Sequence, residues 1–187
     1  MPKLKLDAID RRILAALQRD ARLTNVQLAE EIGLSPSPCL RRVRLLEEAG
    51  VISGYHATLH RGELGLGLTV FVGIKVERHR DETAAAFREA VKALPEVISC
   101  HLVSGEADFL LQVVVPDLAG YEQFLMGALL KLPGVSDIRS NFAIQTVKAE
   151  GPLPLDHLPE PHLPGPHLPG PHLPGPPGPK LPAARRG

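Results

Sequence analysis

The chain has 187 residues, 44% hydrophobic and 22% charged, and its 21 basic and 21 acidic side chains cancel. That length holds two small domains and excludes a large enzyme, and no run approaches the ~20 apolar residues of a bilayer span. The opening MPKLKLDAIDRR lacks a signal-peptide core, Cys39 and Cys100 have no metal-ligand spacing around them, and there is no Trp for stacking on single strands. The expectation is an unexported cytoplasmic protein with reduced thiols, packed by aliphatic side chains.

Charge is distributed unevenly. Residues 1–61 carry ten Lys/Arg against seven Asp/Glu, whereas residues 62–150 carry eight against twelve. A basic head suits a polyanion, but helical pattern decides more than so small an excess. Asp7 is placed to cap a helix whose apolar positions Ile9, Ile13, Leu14 and Leu17 follow helical spacing. Thr24 and Gln27 form a capping box for a short second helix, which ends at Gly33. Ser35-Pro36 then opens a third helix running to Gly50. Two helices joined by so tight a turn predict a helix-turn-helix. On the third helix Leu40, Val43, Leu46 and Glu47 make one side, and Ser37, Arg41, Arg44 and Glu48 the other. The arginine side suits a DNA major groove, where guanidinium groups donate to guanine or phosphate. A solvated surface helix would carry the same arginines. The following VISGYHATLH predicts a hairpin wing, with Tyr55, His56, His60 and Arg61 available to the backbone of a duplex.

From Leu66 the pattern becomes strand, helix, strand, strand, helix, strand, the order of a ferredoxin-like sandwich. The helices are predicted over DETAAAFREAVKAL, capped by Asp81, and DLAGYEQFLMGALLKL, capped by Asp117; the last strand is predicted over VSDIRSNFAIQTVK. Two helices cover one face of a four-stranded sheet, yet Phe71, Leu110 and Val114 are apolar on the opposite parity. A second subunit pressed against that face would remove them from water. The segment from 151 to 187 holds 13 of the 19 prolines in a five-residue His-Leu-Pro repeat. That composition predicts an extended, disordered tail. His157, His162, His167 and His172 recur in it without a defined metal geometry.

The stretches LAEEIGLSPSPCLRRVRLLEEAGVISGY, CHLVSGEADFLLQVVVPDL and LLKLPGVSDIRS resemble the Lrp/AsnC family of prokaryotic transcription factors, in particular its leucine-responsive branch. The resemblance spans about residues 6–149 and is most specific at Ser35 to Val43 and at Gly105-Glu106-Ala107-Asp108. It implies an α+β protein. Residues 1–61 would be a winged helix-turn-helix with a linking strand, residues 62–150 a ferredoxin-like effector-binding and oligomerisation (RAM) domain, and residues 151–187 a disordered tail outside the family pattern. The implied DNA contacts are Ser35, Ser37, Pro38, Arg41, Arg42, Arg44, Tyr55 and Arg61. The implied effector contacts are Ser104, Gly105, Glu106, Ala107, Asp108 and Ser136, with His101 and Ser140 near them. The effector, leucine or another amino acid, would lie between subunits of a homo-oligomer, a dimer assembling to tetramers, octamers or larger. Loop amides would take its carboxylate and Asp108 its ammonium group. The same Gly and Asp also suit a plain hairpin turn. No cofactor, metal site or membrane contact is expected, and the protein would sit on the nucleoid. An enzymatic reading of His101, Ser104, Glu106 and Asp108 is disfavoured, because strand alternation sends His101 and Ser104 to opposite faces.

Overall fold

The structure, a computed structural model, describes residues 5–77 and 81–158. The described residues divide into two compact units, 5–55 with 152–158, and 56–151. In the first unit, α1 (Ala8–Arg19) starts where Asp7 accepts the backbone N–H groups of Ile9 and Asp10 at 2.8 and 2.9 Å. Asp10 returns the bond by accepting from the Asp7 N–H at 3.0 Å, so two orphan donors are satisfied reciprocally. Helix α2 (Asn25–Ile32) has the expected Thr24–Gln27 box and leaves through Gly33 at φ 72°, where a Cβ would be strained. Helix α3 (Pro36–Glu48) follows; its first residue is Pro36, but the Ser35 hydroxyl makes no capping bond. Ile13, Leu28, Ala29, Ile32, Cys39 and Leu46 form the buried centre of this three-helix head.

Three expectations change here. Leu40 does not pack, being 39% exposed, and Cys39 is the fully buried residue. The inward positions of α3 are 39, 43 and 46: Val43 and Leu46 face the core as expected, Cys39 takes the place expected of Leu40, and Glu47 is exposed. The structure forms no strand over residues 51–60, where a hairpin was expected; Ser53–His60 is exposed and pairs with no strand among the described residues. And Pro152–Leu158 belongs to the head, where Leu155 and Leu158 pack against its core. The rest of the expected tail, with His162, His167 and His172, lies outside the described residues.

The second unit enters through a short 3₁₀ turn, Gly62–Leu64. It continues as β1 (Leu68–Val76), α4 (Asp81–Lys92), β2 (Val97–Leu102), β3 (Phe109–Val115), α5 (Leu118–Gly127) and β4 (Val135–Phe142). The side chain of Asp81, expected to cap α4, lies outside the described residues. The strand order is β2-β3-β1-β4 with every pair antiparallel, the ferredoxin-like arrangement. Val70, Val72, Ile74, Phe109, Leu111 and Val113 form one buried face beneath Phe87 of α4 and Tyr121 and Phe124 of α5. The Phe87 and Phe109 rings lie 4.5 Å apart. Helix α5 stops at Gly127 and a 3₁₀ turn, Leu129–Lys131, replaces its expected last turn. Strand β4 ends at Phe142, paired with Val70; one further bond, from the Ala143 N–H to the Thr69 carbonyl at 3.0 Å, follows it, and the expected continuation to Lys148 does not form. The two thiols divide between the units, Cys39 in the head and Cys100, half-buried, on β2. Burial raises the pKa of both.

Candidate nucleic-acid interface and effector turn

Helix α3 presents the expected surface. Ser37, Arg41 and Arg44 are exposed and, with Leu40, Leu45 and Glu48, line a shallow cleft on its outer side. Neither Arg41 nor Arg44 has an ion-pair partner among the described residues, so their guanidinium groups are available to an external anion. Ser35 and Pro38 are exposed at the same end of the helix. Asn25, which sequence reasoning passed over, ties that end down: its amide nitrogen donates to the Pro36 carbonyl at 2.8 Å. Its polar side chain at the first position of α2 was the available signal.

Arg42 belongs elsewhere. Its Nη1 donates to Asp7 Oδ2 and Asp10 Oδ1, each at 2.8 Å, which fastens α3 to the start of α1. Partial burial works against the Arg42 charge, but Asp10 and Asp7 outweigh it and its pKa rises. Burial likewise opposes the charge on Asp7, yet the Asp10 N–H and the Arg42 guanidinium hold its pKa below the usual carboxylate range. Tyr55 is occupied too: its hydroxyl donates to Glu47 at 2.9 Å. Desolvation first, and Glu47 second, push its pKa up to about 12. Arg61 lies in the second unit, where it donates to the Thr69 hydroxyl at 3.3 Å. The eight expected DNA contacts thus split into five exposed on α3 or at its start, one clamp, one occupied hydroxyl and one arginine in the other unit.

In the second unit, Ser104–Asp108 connects β2 to β3. Gly105 takes φ 124°, which favours glycine, and the N–H groups of residues 104–107 meet no acceptor among the described residues. Asp108 closes the turn: its N–H donates to the Ile74 carbonyl and its carbonyl accepts from Val103, both at 2.9 Å. Its carboxylate accepts the Val76 N–H at 3.1 Å, so the aspartate holds the end of β1 as well as its own turn. Ser136 reaches the same place, its Oγ donating to the Lys75 carbonyl at 3.2 Å. Asp108 and Ser136 are thereby brought to successive residues of β1. Glu106 pairs with Arg139 of β4, a partner hidden from sequence because it depends on strand register. Ala107 sits 3.3 Å from where a Gly73 Cβ would be, so Gly73 lets the turn lie close to β1. His101 lies opposite Leu110 on the helix-free face. Ser140 lies on the other face, 2.5 Å from the Tyr121 hydroxyl, and does not join the turn.

Among the described residues no cluster of His, Cys, Asp and Glu is arranged to hold a metal, and no helix is long and apolar enough to cross a membrane. Comparison with known proteins matches both units. Residues 6–53 match the profile described as a winged helix-turn-helix DNA-binding domain, and residues 69–153 the one described as an Lrp/AsnC ligand binding domain. The leucine-responsive regulatory protein of Escherichia coli K12 is 46% identical over 152 residues, 81% of this chain and 93% of that protein. Among solved structures, a Neisseria meningitidis transcriptional regulator in complex with L-Met is similar at TM-score 0.78 and 40% identity, over 81% of this chain and 98% of that one. An AsnC family regulator from Agrobacterium tumefaciens is similar at TM-score 0.77 and 40% identity, with the same coverage of both chains.

Proposed function

Because the chain belongs to the Lrp/AsnC family of DNA-binding transcriptional regulators, a non-enzymatic family, we propose that it reads duplex DNA with α3 and reports an amino acid bound at its β2–β3 turn. The observation that carries the DNA reading is the pair of exposed, unpaired arginines on α3, with Ser37 beside them. Arg41 and Arg44 are one helical turn apart, so one groove can receive both. Ser35 and Pro38 lie where the helix would approach a phosphate.

The effector reading rests on the turn. Backbone N–H groups at residues 104–107 suit a carboxylate, and the Asp108 carboxylate supplies negative charge for an ammonium group. Asp108 acts in this reading partly by holding the turn in shape, and Ser136 is close to the same end of β1. The ligand is a free α-amino acid with an apolar side chain. Support for that class comes from the L-Met complex of the Neisseria relative and the leucine-responsive name of the Escherichia coli one. The site lies between subunits. The helix-free sheet face, with Phe71 40% exposed and Leu110 partly exposed, is the surface through which two copies pair, although Val114 on that side is already buried within the single chain. Effector affinity that differs between assembly states would then shift assembly and the spacing of heads together. The protein works in the cytoplasm, on the nucleoid.

The test is DNA binding and sedimentation of the purified chain, titrated with each of the twenty amino acids. The expected result is a shift in assembly or affinity with one or a few apolar amino acids, lost in Asp108→Ala. DNA binding indifferent to all twenty would sink the effector reading. No binding to promoter fragments at low salt would sink the DNA reading.

A further inference from the structure

The C-terminal segment that returns to the head has no counterpart in the family match beyond residue 153, yet it docks on α1 through a set of paired contacts. Gln18 reads the backbone of Leu153 in both directions: its Oε1 accepts the Leu153 N–H at 2.7 Å and its Nε2 donates to the Leu153 carbonyl at 3.3 Å. Seven residues earlier on the same side of the helix, Arg11 pairs with Asp156 at 2.8 Å and donates to the Leu158 carbonyl at 3.4 Å. Leu155 and Leu158 are partly buried against the head core. The segment therefore runs antiparallel to α1. Seven helical residues rise about 10 Å, and three extended residues, 153 to 156, cover about the same distance. The two polar clamps and the peptide match in length.

We propose that this side of α1 is a peptide-docking site whose occupant is the chain's own Pro152–Leu158, selected over the His-Leu-Pro repeats that follow it. The repeat makes the selection necessary, since Leu163, Leu168 and Leu173 each follow a histidine and precede a proline as Leu158 does. Slipping the chain by five, ten or fifteen residues brings Glu160, Gly165 or Gly170 to the place of Leu155, and Pro161, Pro166 or Pro171 to the place of Asp156. Each slip removes one apolar anchor and the carboxylate that faces Arg11. One register alone keeps both.

Hydrogen exchange of the full-length protein tests this. The Leu153 amide should exchange at least ~10-fold more slowly than in a free peptide of residues 151–160. The Leu155→Ser/Leu158→Ser double variant should abolish that protection. Asp156 is 92% exposed, so Asp156→Arg should lower protection by only ~2–5-fold, and Arg11→Asp combined with Asp156→Arg should restore it. In a second measurement, the 151–160 peptide added to a chain ending at Gly151 should shift the resonances of Arg11 and Gln18, and a peptide of residues 161–170 should not. Absent protection in the unaltered protein overturns the docking site. Equal binding of the two peptides, or charge reversal without effect and without rescue, overturns its selectivity.

Discussion

Arg41 and Arg42 are neighbours in the chain and serve opposite ends. Arg41 extends into solvent from the outer side of α3, while Arg42, one hundred degrees around the helix, is held by Asp7 and Asp10. Arg41→Ala and Arg44→Ala should therefore leave the melting temperature unchanged and weaken DNA binding, by about 1–3 kcal/mol where the arginine meets a base. Arg42→Ala should instead destabilise the head by about 1–2 kcal/mol, the figure being kept low because Asp7 is half exposed. Fluorescence anisotropy on a promoter duplex beside thermal melting separates the two. Asp7 adds a pH dependence. Its pKa is lower in the folded head than in the unfolded chain, so its contribution is present above the ordinary carboxylate pKa and is lost as pH falls through the folded value. Head stability should decline as pH drops below about 4, and Asp7→Asn should flatten that part of the profile. Melting temperatures across an acid series are the check.

At the scale of elements, what was legible in the sequence was whatever a local rule controls. The Asp7, Thr24 and Asp117 caps, the Gly33 exit and the Pro36 start are side-chain or dihedral requirements met within four residues. The six elements of the sandwich followed from periodicity, and the Gly105–Asp108 turn from its residue types. What could not be read depends on partners distant in sequence. The Glu106–Arg139 pair needs the β1–β4 register, the Asp108–Val76 bond needs the β1–β3 register, and the Asp156–Arg11 pair joins the two ends of the chain. Proline content argued that residue 151 onward would form no helix or strand, correctly for the described part, but two leucines and one carboxylate sufficed to dock it. The sandwich core makes its own prediction. Phe87 is fully buried against Phe109, so Phe87→Ala should lower the stability of the second unit by about 3–5 kcal/mol. Near-ultraviolet and amide-exchange signals from the head should be unaffected, since the two units have separate cores.

The whole molecule is a DNA-binding regulator built from two separately cored units. If the helix-free sheet face pairs two copies, sedimentation at micromolar concentration should show a dimer or larger species. Phe71→Glu, which places a charge on that face, should shift it toward monomer. DNA affinity should fall steeply with salt, and each of Arg41→Ala and Arg44→Ala should reduce the slope by about 1 if the arginine meets a phosphate. Affinity independent of salt would contradict phosphate contact by either arginine. The placement of the two cysteines offers a further handle. Cys39, on the inner side of α3, is fully enclosed in the head, and Cys100 is half-enclosed on an edge strand of the other unit. Alkylation of Cys39 must wait for the head to come apart, whereas Cys100 answers only to events in its own sandwich. A single mass-spectrometric time course therefore clocks the two breathing motions independently, and adding duplex or amino acid to the tube shows which of the two has been stilled.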